Sequence, residues 1–196
     1  SILESTQNSE NEYFYSKLLK DFRADYKIFG LDQFAMFYLG FSNDEAYKPY
    51  REQRKDLDEL LASKNYNFLK EYSESRLDSV PVDFPMYWHL AKIAALEADY
   101  DSQLENLIKY YGFSQAITAT GHGLSKDTPY LIAYLQHEYE IIYQLDIDIK
   151  EEYIETSKNN NFDVIIGNDS SGAQRKIYFN IDLPYSYHQK NQNISR

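Results

Sequence analysis

Apolar residues recur with the period of an α-helix through the first two-thirds of the chain. In residues 104–111, for example, apolar side chains stand at positions i, i+3, i+4 and i+7, which is the spacing of one helix face. Comparable stripes predict about six helices in a helical part that spans residues 9–120. Their apolar positions fall within residues 14–22, 31–41, 57–61, 68–77, 86–96 and 104–111.

Two of these helices, within residues 87–97 and 101–111, are separated by a link of only three residues. Three alanines in the first of them allow a second helix to approach closely. We therefore expect a helical hairpin similar to one tetratricopeptide unit. No second copy follows at the period of about 34 residues, and arrays of such repeats need at least three units. A single hairpin within a compact domain is the better interpretation.

The pattern changes after Gly123. Ile177, Phe179 and Ile181 alternate with polar residues, which is typical of a half-buried strand. Residues 128–134 and 162–166 are also predicted strands, and residues 168–172 form a predicted hairpin loop. Residues 137–145 fit a strand or a short helix about equally. We expect a β-rich part over residues 124–185, and thus an α+β single domain over 1–196, with the helices first and a small antiparallel sheet last.

Composition narrows the possible functions. The chain has 196 residues, 43% of them hydrophobic, which is enough for a sizeable core. Its net charge of −11 and the lack of a basic stripe exclude a nucleic-acid binder that neutralises phosphates. The absence of cysteine excludes disulfide scaffolds, thiol nucleophiles and cysteine-ligated metals. No apolar run approaches the roughly 18 residues of a membrane span.

Four short motifs carry a resemblance to a known family. Residues 37–41 (FYLGF), followed by Tyr47-Lys48-Pro49-Tyr50, are similar to the signature of domain of unknown function 4919, an uncharacterised bacterial family found mostly in Bacteroidetes. Residues 118–125 (TATGHGLS) resemble its Ser-Thr-Gly-x-Gly turn, with a departure at Ala119. Residues 137–139 and 178–180 match two further signature positions, so the resemblance covers most of the chain.

This resemblance implies a location but no reaction, because the family has none assigned. Its members commonly carry a signal sequence, which implies a periplasmic or secreted protein whose signal has been removed. The chain begins at Ser1 without Met, from which we expect a processed or trimmed N-terminus. A chain without cysteine suits a reducing cytosol equally well.

His122, His137, Glu138 and Glu140 are the candidates for metal binding or acid–base chemistry. The His137-Glu138 pair is not the H-E-x-x-H zinc motif, since Ile141 stands where the second histidine is required. Adjacent side chains also point to opposite faces of a strand, and they diverge by about 100° around a helix. We therefore expect structural hydrogen bonding here, and we keep a metal-dependent or acid–base hydrolase using His122, His137 and Glu138 as the alternative.

Two loops are the candidates for ligand binding. Gly121, His122 and Gly123 lie in a turn that only weakly resembles a phosphate-binding loop, and a helix end explains these glycines equally well. Tyr47 and Tyr50 lie in a second loop. Loops held by a rigid scaffold often carry recognition residues, so we expect both loops to border one concave surface, with His137 and Glu138 as further candidate ligand-binding residues.

A third alternative is a glycan-binding module that uses Trp88, Tyr47, Tyr50 and Tyr185 as a stacking platform, although burial of Trp88 in a helix stripe is the simpler interpretation. Our sequence-based expectation is a non-catalytic binding or scaffolding protein without a cofactor. Its partner is an unidentified protein, small molecule or glycan.

Overall fold

The computed structural model describes residues 2–49, 57–158 and 160–192. The chain forms two compact units. One consists of residues 1–47 and 51–115, and the other of residues 48–50 and 116–196. The α+β layout is confirmed, with most helices towards the N-terminus and the sheet towards the C-terminus. The single-domain assignment stays a prediction.

The first unit is helical. Its core is an aromatic cluster in which the Phe22 ring centroid lies 4.9 Å from that of Phe37 and 5.6 Å from that of Phe113. Edge-on and tilted ring packing of this kind adds to the burial of large apolar surfaces. The helices are α1 (Ile2–Gln7), α2 (Tyr15–Asp25), α3 (Leu31–Gly40), α4 (Leu57–Ala62), α5 (Tyr66–Ser79), α6 (Pro85–Leu96) and α7 (Tyr100–Thr118), and the last three residues of α7 belong to the second unit.

The prediction of about six helices corresponds to α2–α7 and is short by one within the described residues. Helix α1 was missed because its six residues are too few to display a helical period. No helix in the described ranges is long and apolar enough to cross a membrane.

The likeness of α6 and α7 to a tetratricopeptide hairpin is not confirmed. Large rings meet between these helices: the Trp88 ring lies 5.1 Å from Tyr110, and Tyr87 lies 6.2 Å from Phe113. Bulky side chains at the contact keep helix axes further apart than small ones do. The short link itself is present, and Ala98 adopts a left-handed φ of 58° within it.

The second unit contains a four-stranded sheet with the order β1-β4-β3-β2. Strands β3 and β4 pair antiparallel as predicted, and β2, which was not predicted, pairs antiparallel with β3. β1 pairs with β4 in parallel. The predicted strand at 128–134 is only two residues long. The elements are β1 (Tyr130–Leu131), α8 (Gln136–Gln144), β2 (Ile147–Ser157), β3 (Asn160–Asp169), β4 (Gln174–Asn180) and α9 (Asp182–Gln192).

Strand positions in this sheet explain its burial. β3 lies between two partners, so Phe162, Val164 and Ile165 are all buried, whereas β2 is a largely exposed strand at the end of the sheet order. The predicted alternation in β4 is confirmed, since Ile177 and Phe179 are buried. Of the ambiguous residues 137–145, residues 137–144 are helical and form most of α8.

The β3–β4 hairpin contains a carboxylate that we expect to stabilise the fold in a pH-dependent way. Hydrogen bonds from the Ser171 side chain, from Arg175 and from the backbone lower the pKa of Asp169 from 3.8 to about 2. The native state therefore binds fewer protons than the unfolded chain between these values. Asp169 stabilises the fold above about pH 4, and this contribution is lost as the pH falls through 2.

Acid unfolding monitored by circular dichroism tests this expectation. Asp169→Asn should reduce the loss of stability between about pH 4 and pH 2, and Ser171→Ala should reduce it partly. Identical acid dependence in the wild type and Asp169→Asn would contradict the assignment.

Candidate functional site

The predicted aromatic loop does not display Tyr47. This side chain is buried, and its ring lies edge-on to Phe41 with centroids 6.1 Å apart. Tyr50 lies outside the described residues. Trp88 is half-buried and stacks on Tyr110. The proposed ligand-binding role of Tyr47 and Tyr50 stays a prediction.

The turn at residues 121–123 is closely packed against the chain that follows it. The N–H groups of His122 and Gly123 both donate to the Thr128 carbonyl, at 3.0 and 2.8 Å. A Cβ at Gly121 would lie 2.3 Å from the Pro129 carbonyl oxygen, and a Cβ at Gly123 would lie 2.4 Å from the Tyr130 ring. The backbone approach therefore accounts for both glycines, and His122 is left exposed at the turn.

His137 and Glu138 lie in the first turn of α8 and are both buried. The His137 ring lies 5.2 Å from the Tyr134 ring, whereas Glu138 joins two carboxylates of the sheet. The two adjacent side chains therefore diverge, as expected for neighbours on a helix. His122 and His137 are not part of the group that Glu138 joins.

That group, which we call the carboxylate cluster, consists of Glu138, Glu152 and Asp163. One carboxylate oxygen from each lies within 4.8 Å of the others. The sheet register explains the meeting of the two strand residues. Ile154 of β2 pairs with Asp163 of β3, and Glu152 lies two positions from Ile154, so its side chain points to the same face as Asp163.

Burial dominates the electrostatics of the carboxylate cluster. It raises the pKa of Glu138 well above its ordinary value, and the charge of Asp163 raises it further. Burial, together with the charge of Glu152, also raises the pKa of Asp163 to about 6. The contact with the Glu138 side chain partly offsets this rise. Among the described residues, neither Glu138 nor Asp163 therefore has a neighbouring positive charge that stabilises its ionised form.

The two sides of the carboxylate cluster differ. Glu138 is 1% exposed, and its Oε1 atom, like Oδ1 of Asp163, has no hydrogen-bond partner within the described ranges. Glu152 is exposed, and both of its oxygens accept from the Tyr139 hydroxyl at 2.9 Å. Three carboxylate oxygens in this arrangement suit a hard cation or a shared proton.

Sequence reasoning identified Glu138 but missed its two partners. The available signal was Asp163, a charged residue inside the apolar run at 162–166. Charged side chains are rarely buried without a partner, so this position could have been singled out. Glu152 gave no such signal, because it lies in a segment rich in charges.

A second feature lies in the helical unit: an open apolar groove of about 570 Å³. It runs between α7 and the segment that leads into α3. Leu104 is 59% exposed there, Leu31 48% and Tyr111 44%. The residues that line it are Phe29, Gly30, Leu31, Phe34, Leu104, Leu107, Ile108, Tyr111, Gly112 and Gln115.

The groove exists because α7 carries two apolar faces. Tyr110 and Phe113 enter the core, whereas the stripe at residues 104–111 faces the groove. That stripe predicted the helix correctly, but it does not belong to the buried core. Beneath it the helix backbone comes close to α3, since a Cβ at Gly112 would lie 2.4 Å from the Phe34 ring.

Comparison with known proteins decides the family. The model of a family described as Domain of unknown function (DUF4919) matches residues 1–190. The chain belongs to this family. No curated protein and no solved structure matches it.

We expect the glycines in the turn at residues 121–123 to be required for stability. We expect His122 to tolerate substitution. Gly123 has a φ of +68°, and an added Cβ would meet the Tyr130 ring. Left-handed strain together with overpacking predicts that Gly123→Ala lowers the free energy of unfolding by about 2–4 kcal/mol. His122→Ala, which removes an exposed side chain, should change it by less than about 0.5 kcal/mol.

Urea unfolding of the two variants measures this difference. If Gly123→Ala is as stable as the wild type, neither the positive φ nor the contact with the Tyr130 ring requires glycine at this position.

Proposed function

We propose that this protein is a non-catalytic binding protein whose apolar groove accepts an amphipathic helix with basic residues at its flanks. The observation that carries the proposal is the exposed stripe at residues 104–111 of α7. Soluble proteins rarely expose a contiguous apolar surface of this kind unless it contacts a partner. A second stripe on a helix whose other face is already buried has no role in the core of the same unit.

A helix suits the shape of the groove. The lining residues of α7 follow the i, i+3, i+4 and i+7 positions, which is the ridge pattern that interdigitates with a second helix. Recognition of an amphipathic helix by an apolar groove is a common mode of protein binding. The groove volume also lies within the range of about 300–1,000 Å³ that is usual for binding sites.

Charges near the groove favour a basic partner. Asp32 adjoins the lining residue Leu31, and Asp101 lies one turn before Leu104. Nearby positive charge is already engaged: Lys27 pairs with Glu105 at 3.7 Å, and Lys109 lies 4.4 Å from the Tyr26 ring centroid. A second copy of this chain would bring like charges together, which disfavours self-association.

The hydrolase alternative has weaker support. Glu138, its one carboxylate, is 1% exposed, so a substrate has no access to it. General acid–base catalysis requires the catalytic group within hydrogen-bonding reach of the substrate. The glycan alternative needs displayed rings, and Tyr47 is buried. The exported location implied by the family resemblance is part of the proposal, and the cytosol is its alternative.

Selection from a display library tests the groove. The library consists of helices of about 18 residues, or five turns, with a varied apolar face and either lysine or glutamate at the flanks. We expect lysine-flanked helices to be enriched on the wild-type protein and to bind less tightly in added salt. Leu104→Glu should weaken them by about tenfold or more, because burying a leucine contributes about 1.5–3 kcal/mol.

Leu96→Glu is the matched control. Leu96 is 61% exposed, as Leu104 is 59% exposed, but it does not line the groove. Both variants should melt with the wild type, and only Leu104→Glu should lose the selected helices. Equal loss in both variants, or no enrichment that depends on Leu104, would overturn the proposal. If the wild type self-associates and Leu104→Glu abolishes the association, the occupant of the groove is a second copy of the chain and not a basic helix.

A further inference from the structure

We propose that the carboxylate cluster in the second unit is a Ca²⁺-binding site formed by Glu138, Glu152 and Asp163. It is independent of the groove, because its three residues all belong to the second unit and the groove lies in the first. Three acidic residues from α8, β2 and β3 meet at one point.

Unpartnered buried oxygens separate this site from an ordinary acidic surface patch. Oε1 of Glu138 and Oδ1 of Asp163 are buried, and no N–H or hydroxyl donor among the described residues reaches them. The two residues are 1% and 6% exposed. A buried carboxylate oxygen without a hydrogen bond is costly, and a cation between the three groups satisfies both atoms together.

The donor set selects a hard cation. All three ligands are carboxylate oxygens, whereas Zn²⁺ sites usually include histidine or cysteine. Oxygens on opposite sides of Ca²⁺ lie about 4.6–5.2 Å apart, and those around Mg²⁺ about 4.0–4.2 Å apart. The cluster's oxygens lie within 4.8 Å of one another, which is inside the span of a Ca²⁺ coordination shell, and Ca²⁺ tolerates irregular geometry better than Mg²⁺ does.

Partial exposure sets the expected affinity. Ca²⁺ takes six to eight oxygen ligands, so water completes the coordination on the exposed side of Glu152. Sites with few protein ligands bind Ca²⁺ with dissociation constants of about 10⁻⁴–10⁻³ M, as extracellular modules do. The Tyr139 hydroxyl, which donates to Glu152 at 2.9 Å, holds that carboxylate at the site.

Calorimetric titration of chelator-treated protein tests the site. We expect Ca²⁺ to bind with a dissociation constant in the range given above and to raise the melting temperature. Mg²⁺ and Zn²⁺ should bind less tightly at this site. Glu138→Gln and Asp163→Asn each remove one ligand charge with little change in shape, and each should weaken Ca²⁺ binding by about tenfold or more.

Glu151→Gln is the matched control for charge. Glu151 adjoins Glu152 in β2, but its side chain points to the opposite face of the strand. It should bind Ca²⁺ like the wild type. Equal weakening in Glu151→Gln and Glu138→Gln would overturn the proposal, because it would indicate diffuse attraction to an acidic surface.

Tb³⁺ occupies Ca²⁺ sites, and nearby tyrosine excites its luminescence. This luminescence is a second readout that does not depend on the folding of the carboxylate variants. Tyr139→Phe keeps all three ligands and loses only the hydroxyl that holds Glu152, so it should still bind at saturating Tb³⁺, and its sensitised emission should fall. Unchanged emission would place the ion elsewhere and overturn the proposal. No binding of Ca²⁺ by the wild type, or tighter binding of Zn²⁺ or Mg²⁺, would overturn it as well.

Discussion

The helical unit depends on how the apolar surface of α7 is divided. One face supplies Phe113, whose ring lies 5.1 Å from Phe34 and 5.6 Å from Phe22, and so joins the aromatic core. The other face, from Leu104 to Tyr111, is left to the groove. A helix in this position cannot bury both faces against the same small core, so the unit retains exposed apolar surface at the groove.

The second unit depends on a different constraint: a buried charge must be compensated by an opposite charge or by hydrogen bonds. β3 is an internal strand between β2 and β4, and it carries Asp163 among residues that are buried. Replacing this aspartate with an apolar residue would remove the desolvation cost. Its presence beside Glu138 and Glu152 therefore favours a role that requires negative charge. Burial explains the raised pKa of Glu138 as well.

Periodicity predicted helices better than it predicted burial. The stripe at 104–111 correctly identified α7, but spacing alone does not distinguish a face that meets the core from a face that stays exposed in a groove. β2 was missed because charges occupy both of its faces, as an exposed end strand allows. The alternation of Tyr139, Ile141 and Tyr143 fitted a strand, yet Ile141 and Ile142 are buried on one side of α8. The three-residue carboxylate cluster depends on strand register, which local sequence does not specify.

The two candidate sites have opposite physical requirements, which makes them separable. An apolar groove gains free energy from the surface that it removes from water, and this gain is little affected by millimolar ions. A carboxylate cluster gains from a cation and is unaffected by the loss of apolar surface elsewhere. Each site draws its residues from one compact unit. Helix binding and ion binding are therefore expected to respond to different substitutions, so a variant that impairs both would indicate a fault in the fold and not in either site.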